Sequence, residues 1–320
     1  MTLHRRNILK FALAAVPLGA AAQGLADRPV KIIVNFAAGG PLDVMARVLA
    51  ENLGPRVGRP VVVENLTGAN GNIGAQAVAR AAADGHTLLF TVENALTVSP
   101  HIYPSLGYQP LVDLDPLNLV GAFELVLAVP ASSGIKTVQE FVSRARGGKT
   151  TYASAGNGSP GHLAFLAFAE RAGIQATHVP YRGNAPAMND LMAGHVDSAL
   201  VVMGGVRPHL QGGKLVALAV SGKERSPDLP QVPTLEQAGF PGFHLSYAYA
   251  IAAPKGLAPE LRSFWQDQLR QSLAVPAVQE RLRKLDTRII NGDAAAARSW
   301  LEASSRRWRA TLKDANVKVD

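Results

Sequence analysis

The chain has no cysteine among its 320 residues. Disulfides and thiolate metal sites are therefore excluded, and stability has to come from a buried core, which a chain of this length can build. Aromatic residues are few, at 6%, and the basic residues are scattered except for Arg306-Arg307-Trp308-Arg309. A nucleic-acid surface needs basic residues interleaved with stacking rings, so none is expected. After the N-terminal stretch, no apolar run reaches the roughly 20 residues that span a bilayer. The eight histidines show no metal-ligand spacing, and there is neither a G-x-S-x-G elbow nor an H-E-x-x-H pair. With no nucleophile–base pair and no metal set, an enzyme is the weaker reading, and no cofactor is expected.

Residues 1–26 read MTLHRRNILKFALAAVPLGAAAQGLA. Arg5, Arg6 and Lys10 precede an apolar run from Phe11 to Ala22, and small residues Gly24 and Ala26 flank Leu25. This order is that of an export signal, too short for a membrane span. Arg5-Arg6-Asn7-Ile8-Leu9-Lys10 fits a twin-arginine signal as well as an ordinary secretory one. The fold is expected to begin near Asp27, outside the cytoplasm. Three of the +8 formal charges, Arg5, Arg6 and Lys10, lie in the leader, which leaves +5 on the rest. A mildly basic surface suits anionic small molecules or solubility alone.

Residues 28–50 read RPVKIIVNFAAGGPLDVMARVLA. An apolar run, Val30 to Phe36, enters Ala38-Gly39-Gly40-Pro41, after which Leu42, Val44, Met45, Val48 and Leu49 recur at helical spacing. A strand, a glycine turn and a helix are expected. The first-turn N–H groups have no partner within the helix, and the dipole there is positive, so the junction suits an anion. Asp43 in the first turn is favoured for structural reasons as well. The pattern returns at Thr150–Ser154, Ala155-Gly156-Asn157-Gly158-Ser159-Pro160-Gly161-His162 and a helix with Leu163, Phe165, Leu166 and Phe168. It returns again at Thr177–Pro180, Tyr181-Arg182-Gly183-Asn184-Ala185-Pro186 and a helix with Met188, Leu191 and Met192.

Along the whole chain, apolar runs alternate with amphipathic stretches. Strands are expected at 30–36, 60–64, 86–91, 123–130, 150–154, 176–180, 196–202, 215–221 and 246–253. Helices are expected at 41–54, 71–83, 137–145, 160–172, 185–193, 234–238, 259–273, 276–284 and 293–315. Such alternation predicts an α/β protein with mostly parallel sheets. Phe123–Pro130 and Leu215–Ser221 are candidate crossings between two lobes, with helix ends of both lobes at the gap. In the last helix, Asp293 is a cap, and Trp300, Leu301, Trp308 and Leu312 form an apolar stripe, so both tryptophans read as core.

Two phosphate-binding motifs fail. Gly156-x-Gly158-x-x-Gly161 matches a dinucleotide fingerprint, but the next strand carries no acid for a ribose hydroxyl. Gly148-Lys149-Thr150 lacks the upstream glycine of a phosphate loop, where Ser143 stands instead. His162, beside the glycine-rich loop, either lines a site or bonds nearby backbone.

The mature chain resembles the periplasmic solute-binding receptors of tripartite tricarboxylate transporters, the Bug receptors. The marks are Arg28-Pro29-Val30, Phe36 to Asp43, Pro60 to Asn65, Gly68-Ala69-Asn70-Gly71-Asn72-Ile73-Gly74, Asp84 to Leu89, Tyr152 to Ser159, His178 to Gly183, Leu218 to Ser221 and Pro230 to Thr234. The resemblance implies a two-lobe periplasmic-binding-protein fold of type II, the Venus-flytrap form, with a ligand cleft between the lobes. It implies a division into 27–124 and 223–320 for one lobe and 125–222 for the other. It implies capture of a small carboxylate, or a related amide or amino-acid-like solute, by a monomer that docks on two integral membrane transporter subunits. The alternative partner is a sensor kinase. The implied first-lobe contacts are Phe36, Ala38, Gly39, Gly40 and Asp43, faced by the Thr91–Ala95 turn with Glu93 and Asn94. The implied second-lobe contacts are Ser154, Gly156, Asn157, Ser159, His162, Tyr181 and Gly183. Three residues depart from the usual family pattern: Leu42 for a small or hydroxyl residue, Glu93 for a neutral one and Val201 for an acid. Val201 would make the opposite wall more apolar. Glu93, if it faces the cleft, disfavours a second ligand carboxylate and favours an N–H donor; otherwise it points to solvent or pairs with a surface base.

Overall fold

The computed structural model describes residues 25–315, with side chains to residue 312. Apart from Leu25 and Ala26, the expected export signal lies outside the described residues. The first part of the chain runs β1 (Val30–Val34), α1 (Pro41–Val57), β2 (Val61–Asn65), α2 (Asn72–Ala79), β3 (Thr87–Val92), three single-turn helices α3 (Asn94–Thr97), α4 (Ser99–Ile102) and α5 (Pro110–Asp113), and β4 (Leu114–Phe123). The middle runs β5 (Leu125–Pro130), α6 (Val138–Gly147), β6 (Thr151–Ser154), α7 (Pro160–Ala172), β7 (Thr177–Pro180), α8 (Asn184–Ala193), β8 (Ser198–Val202), α9 (Met203–Gln211) and β9 (Leu215–Val220). The last part runs β10 (Tyr247–Pro254), α10 (Pro259–Ala274), α11 (Pro276–Arg283), β11 (Arg288–Gly292) and α12 (Ala294–Ala315).

The strands make two sheets, one for each lobe. The first has the order β11-β4-β10-β3-β1-β2 and the second β7-β6-β8-β5-β9. The pairings β1–β2, β1–β3, β6–β7 and β6–β8 are parallel, whereas the β10, β4, β11, β5 and β9 pairings are antiparallel. The expectation of mostly parallel sheets is therefore corrected to mixed sheets. The physical cause is the crossing: each lobe receives a strand that entered from the other lobe, and it adds antiparallel to the βα units already there.

Several segments differ from the sequence reading. No strand is expected at 114–122, where Asp115, Pro116 and Gly121 stand, yet β4 is buried throughout and bulged against β10. α9 opens on Met203-Gly204-Gly205 and contains Pro208, which hides its period. Residues 234–238 form a turn rather than a helix, and β11 is a short edge strand with an irregular register.

The crossings meet at one serine. Ser221 Oγ accepts from Leu125 N–H at 2.9 Å and donates to Leu245 O at 2.7 Å. It thus ties the strand entering the second lobe to the strand leaving it. Beside it, Ser246 Oγ donates to Glu124 at 3.0 Å, and Arg288 lies 3.7 Å from the same carboxylate. Trp308 stacks on Tyr247 at 5.7 Å, Tyr247 on Phe123 at 5.7 Å and Phe123 on Tyr249 at 4.6 Å, so rings brace the first sheet beside the crossing. As expected, Trp308 is core.

At the far end of β4, Asp115 is buried and faces Lys255 at 3.1 Å, Arg262 at 2.6 Å and Arg298 at 3.4 Å. One carboxylate therefore binds the residue after β10, α10 and α12 to β4, the strand next to the edge of the sheet. All three cations are more than a third exposed, so they regain water when the carboxylate is removed, and the loss is smaller than for a fully buried pair. Asp115→Ala is expected to lower stability by roughly 2 kcal/mol, read as a reduced urea midpoint with unchanged slope; an unchanged midpoint would show that the cluster contributes nothing.

Candidate ligand-binding site

β1, β6 and β7 each end in a glycine turn that opens a helix, as read from the sequence. Gly40, Ser159 and Gly183 are the N-cap residues, and none gives its helix a side-chain cap. The contrast is α6, where Thr137 and Glu140 form a reciprocal capping box. The first-turn N–H groups of α1, α7 and α8 are thus left for another acceptor.

In the first junction, Gly39 holds φ +80°, which favours glycine, whereas Gly40 is extended at φ −76°. Ala38 and Gly39 are exposed and Phe36 is half-buried. Asp43, expected as a ligand contact, braces the turn. Its Oδ2 accepts from Gly39 N–H at 2.9 Å and Arg47 Nε at 3.0 Å; its Oδ1 accepts from Arg47 at 2.9 Å and Asn65 Nδ2 at 3.0 Å. Burial alone would raise the Asp43 carboxyl, but these hydrogen bonds offset it and hold the carboxyl below its ordinary value. The charge is spent on the shape of the turn. Leu42 is buried in the core and does not reach the site.

In the second junction, Gly156 and Gly158 hold φ +128° and +74°. Two side chains expected in the cleft instead hold this loop from beneath. Ser154 Oγ accepts from Gly156 N–H at 3.1 Å and lies 2.7 Å from His178 Nε2. His162 Nδ1 accepts from Gly158 N–H at 2.9 Å, so its proton resides on Nε2. The His162 and His178 rings stack at 3.9 Å and 7°. Burial, then the neighbouring His178, push His162 down to about 3, and burial pushes His178 down to about 4. Both rings are neutral near pH 7, and the His162 lone pair is free to receive Gly158. Asn157 is exposed, and Ser159 Oγ is buried without a partner. In the third junction, Tyr181 O–H donates to Asp190 at 2.5 Å and Tyr181 N–H donates to Ser154 O at 3.0 Å. Gly183 N–H donates to Ala155 O at 3.3 Å with φ +109°. These two residues join the second and third junctions rather than presenting free groups.

Glu93 is also corrected. It faces neither cleft nor solvent: it is fully buried, with Trp300 Nε1 donating to one oxygen and Ser304 Oγ to the other at 2.7 Å. Arg307 lies 3.9 Å away. Burial pushes the Glu93 carboxyl up, opposed by Ser304, Arg307 and Trp300. The residue anchors the β3–α3 turn to α12. Its neighbour Asn94 remains a site candidate: Nδ2 reaches Asn70 O at 3.5 Å and Oδ1 is buried without a partner. Val201 pairs with Val126 inside the second sheet and lies in its apolar core, not on a cleft wall.

The sequence reading missed the residues that bring the junctions together. Asn70, at φ +54°, donates through Nδ2 to Gly158 O at 2.8 Å, from one lobe to the other. A Cβ on Gly71 would meet Asn35 Nδ2 at 2.4 Å and Phe36 Cε2 at 3.4 Å. Residues 70 and 71 therefore touch the first junction on one side and the second on the other. Asn35 Nδ2 donates to Gly71 O at 3.0 Å and to Thr91 Oγ1 at 2.8 Å, while its Oδ1 is buried without a partner. The available signal was asparagine between two glycines at 68–71, since asparagine tolerates the left-handed conformation better than most residues. A separate concavity of about 180 Å³, lined by Pro130, Ser133, Arg144, Thr150 and Asp197 among others, lies where β6 and β8 begin, at the opposite end of that sheet. It contains none of the candidate residues.

Comparisons agree with this two-lobe geometry. The sequence pattern of the tripartite tricarboxylate transporter family receptor, TctC, matches residues 45–317. BugT of Bordetella pertussis is 34% identical over 312 residues, covering 97% of this chain and 96% of that protein. The periplasmic binding protein BugD superposes with a TM-score of 0.81 at 32% identity, over 92% of this chain and 99% of its own. An R. palustris protein solved with adipate gives 0.83 at 29% identity, over 90% and 97%. MatC of Rhodopseudomonas palustris, solved with malate, gives 0.81 at 28%, over 89% and 99%. The fold is that of these periplasmic binding proteins, and the chain belongs to the tripartite tricarboxylate transporter receptor family.

Proposed function

We propose that the protein captures a small dicarboxylate in the periplasm and presents it to a membrane transporter. The carrying observation is the set of uncapped helix ends of α1, α7 and α8, joined across the lobes through Asn70 and Gly71. Backbone N–H groups of the first turns receive one ligand carboxylate. The unpartnered Ser159 hydroxyl is a neutral donor beside the α7 N-terminus. The carboxylates of Asp43, Glu93 and Asp190 are each engaged by protein donors, so none is left needing a donor from the ligand. With Glu93 buried against Trp300 and Ser304, it offers no acceptor to a nitrogen-bearing ligand. Relatives solved with adipate and with malate support the dicarboxylate reading.

The protein acts as a binding protein and not as an enzyme, as a monomer that docks on two integral membrane subunits. Residues 223–244, expected with the first lobe, pack on the second instead: Gln139 Nε2 donates to Ala238 O at 2.7 Å, Phe168 meets Phe240 and Phe243, and Val232 lies in the second-lobe core. We assign residues 27–124 and 245–315 to one lobe and 125–244 to the other.

A thermal-shift screen is expected to rank adipate and malate above glutamate, nicotinate and nicotinamide. Glu93→Gln should lower the melting temperature without changing that order, since Glu93 serves the fold. An amino acid or amide binding best would overturn the ligand class, and a changed order in Glu93→Gln would return Glu93 to the site.

Gly40→Val tests the site itself. A Cβ at Gly40 meets only Ala37 O, at 3.4 Å, and its φ of −76° suits any residue, so the fold should survive. The side chain would stand where a ligand approaches the α1 N-terminus. Calorimetry with the best ligand of the screen should show affinity reduced by on the order of a hundredfold, about 2.8 kcal/mol, with an unchanged far-UV spectrum. Wild-type affinity in the folded variant would remove the site from this turn.

A further inference from the structure

A second set of contacts joins the lobes, away from the residues described so far. Arg207 stands on α9, on the second lobe. Asp286 stands in the turn between α11 and β11, on the first. The two side chains form an ion pair across the lobes. The Asp286 side chain is 7% exposed, and neither of its oxygens has a hydrogen-bond partner among the described residues, so the ion pair with Arg207 is what faces its charge. Its φ is +57°, a conformation that costs an aspartate energy unless surrounding contacts maintain it. The carboxylate lies beside the first turn of α9: a Cβ on Gly204 would be 3.1 Å from Asp286 Oδ2. α9 opens from the carboxyl end of β8, the strand parallel to β6, so its first turn lies at the same end of the sheet as the first turn of α7. It too has no side-chain cap of its own. Arg207 also holds Asp228 at 2.6 Å. Asp228 precedes Leu229 and Val232, which pack in the second-lobe core.

We propose that Arg207 and Asp286 form a cross-lobe latch that stabilises the closed state. Opening must separate a largely buried pair and hydrate both charges, while the carboxylate leaves the positive end of α9. The first lobe thus carries a permanent carboxylate that closes onto a helix end of the second, in the manner of a ligand. Its presence raises the closed population before any solute arrives, and affinity scales with that population. The two single variants should differ. Without Asp286, Arg207 keeps Asp228. Without Arg207, Asp228 and Asp286 are left as two like charges with no cation between them.

The absence of cysteine permits a ligand-free test. Nitroxides on Val62→Cys, in β2, and Asn189→Cys, in α8, report the distance between the lobes. In the wild type, a short-distance population is expected, reduced at high salt. Asp286→Asn should shift the distribution to longer distances, and Arg207→Gln should shift it further. Asparagine accepts the left-handed conformation, so Asp286→Asn is expected to fold. Arg207→Lys should retain the short population. Adipate affinity should fall roughly tenfold in Asp286→Asn. Distances unchanged from wild type in folded Asp286→Asn and Arg207→Gln would overturn the latch. The distance measurement uses no solute, so its outcome is separate from that of the dicarboxylate assignment.

Discussion

An unpaired N–H at a helix end is the constraint on which this structure turns. A buried or half-buried donor without an acceptor is costly, and most helices meet the cost with a capping side chain. Here α1, α7 and α8 begin without one, and the chain spends other residues to keep them so. Asp43 and Asn65 hold the first turn from behind. Ser154, His162 and the stacked His178 hold the second. Gly183 and Tyr181 tie the third to the second. The side chains nearest to the helix ends are thus occupied with loop shape, and the backbone is what remains available to an anion.

Charge is managed with the same economy. Each acid near the junctions has its own donors: Arg47 for Asp43, Trp300 and Ser304 for Glu93, Tyr181 for Asp190. The neutral histidine pair adds no cation. A site built from helix dipoles and a neutral hydroxyl binds an anion without a fixed counter-charge, so desolvating the empty site costs less than desolvating a lysine or arginine would. Among the described residues, the charge pair that crosses between the lobes, Arg207 with Asp286, is made wholly of protein groups.

The two halves of the site are joined by few groups. Ser221 ties the crossing strands at the hinge; Asn70 meets Gly158, and Tyr247 O–H donates to Pro160 O at 2.9 Å. The last two contacts reach the loop and first residue of α7, so a relative movement of the lobes acts directly on the second junction. The aromatic stack from Trp308 to Tyr249 makes the first sheet a firm base for such movement.

The strand–glycine–helix junctions, the alternation of elements and the core role of Trp308 were all legible in the sequence, because period and turn chemistry are local properties. β4, α9 and β11 were not, because burial on both sides and pairing with neighbours override Pro116, Gly204, Gly205 and Pro208. Side-chain roles were legible least of all. Nothing in the sequence around Glu93 shows that Trp300 and Ser304 wait 207 and 211 residues further on, nor that Arg207 meets Asp286. The sequence alone determined where the backbone would offer free N–H groups, since glycine, proline and hydrophobic period act within a few residues. Only the tertiary structure decided which carboxylates are spent on the fold and which groups remain for a ligand, because a hydrogen-bond donor can arrive from any part of the chain.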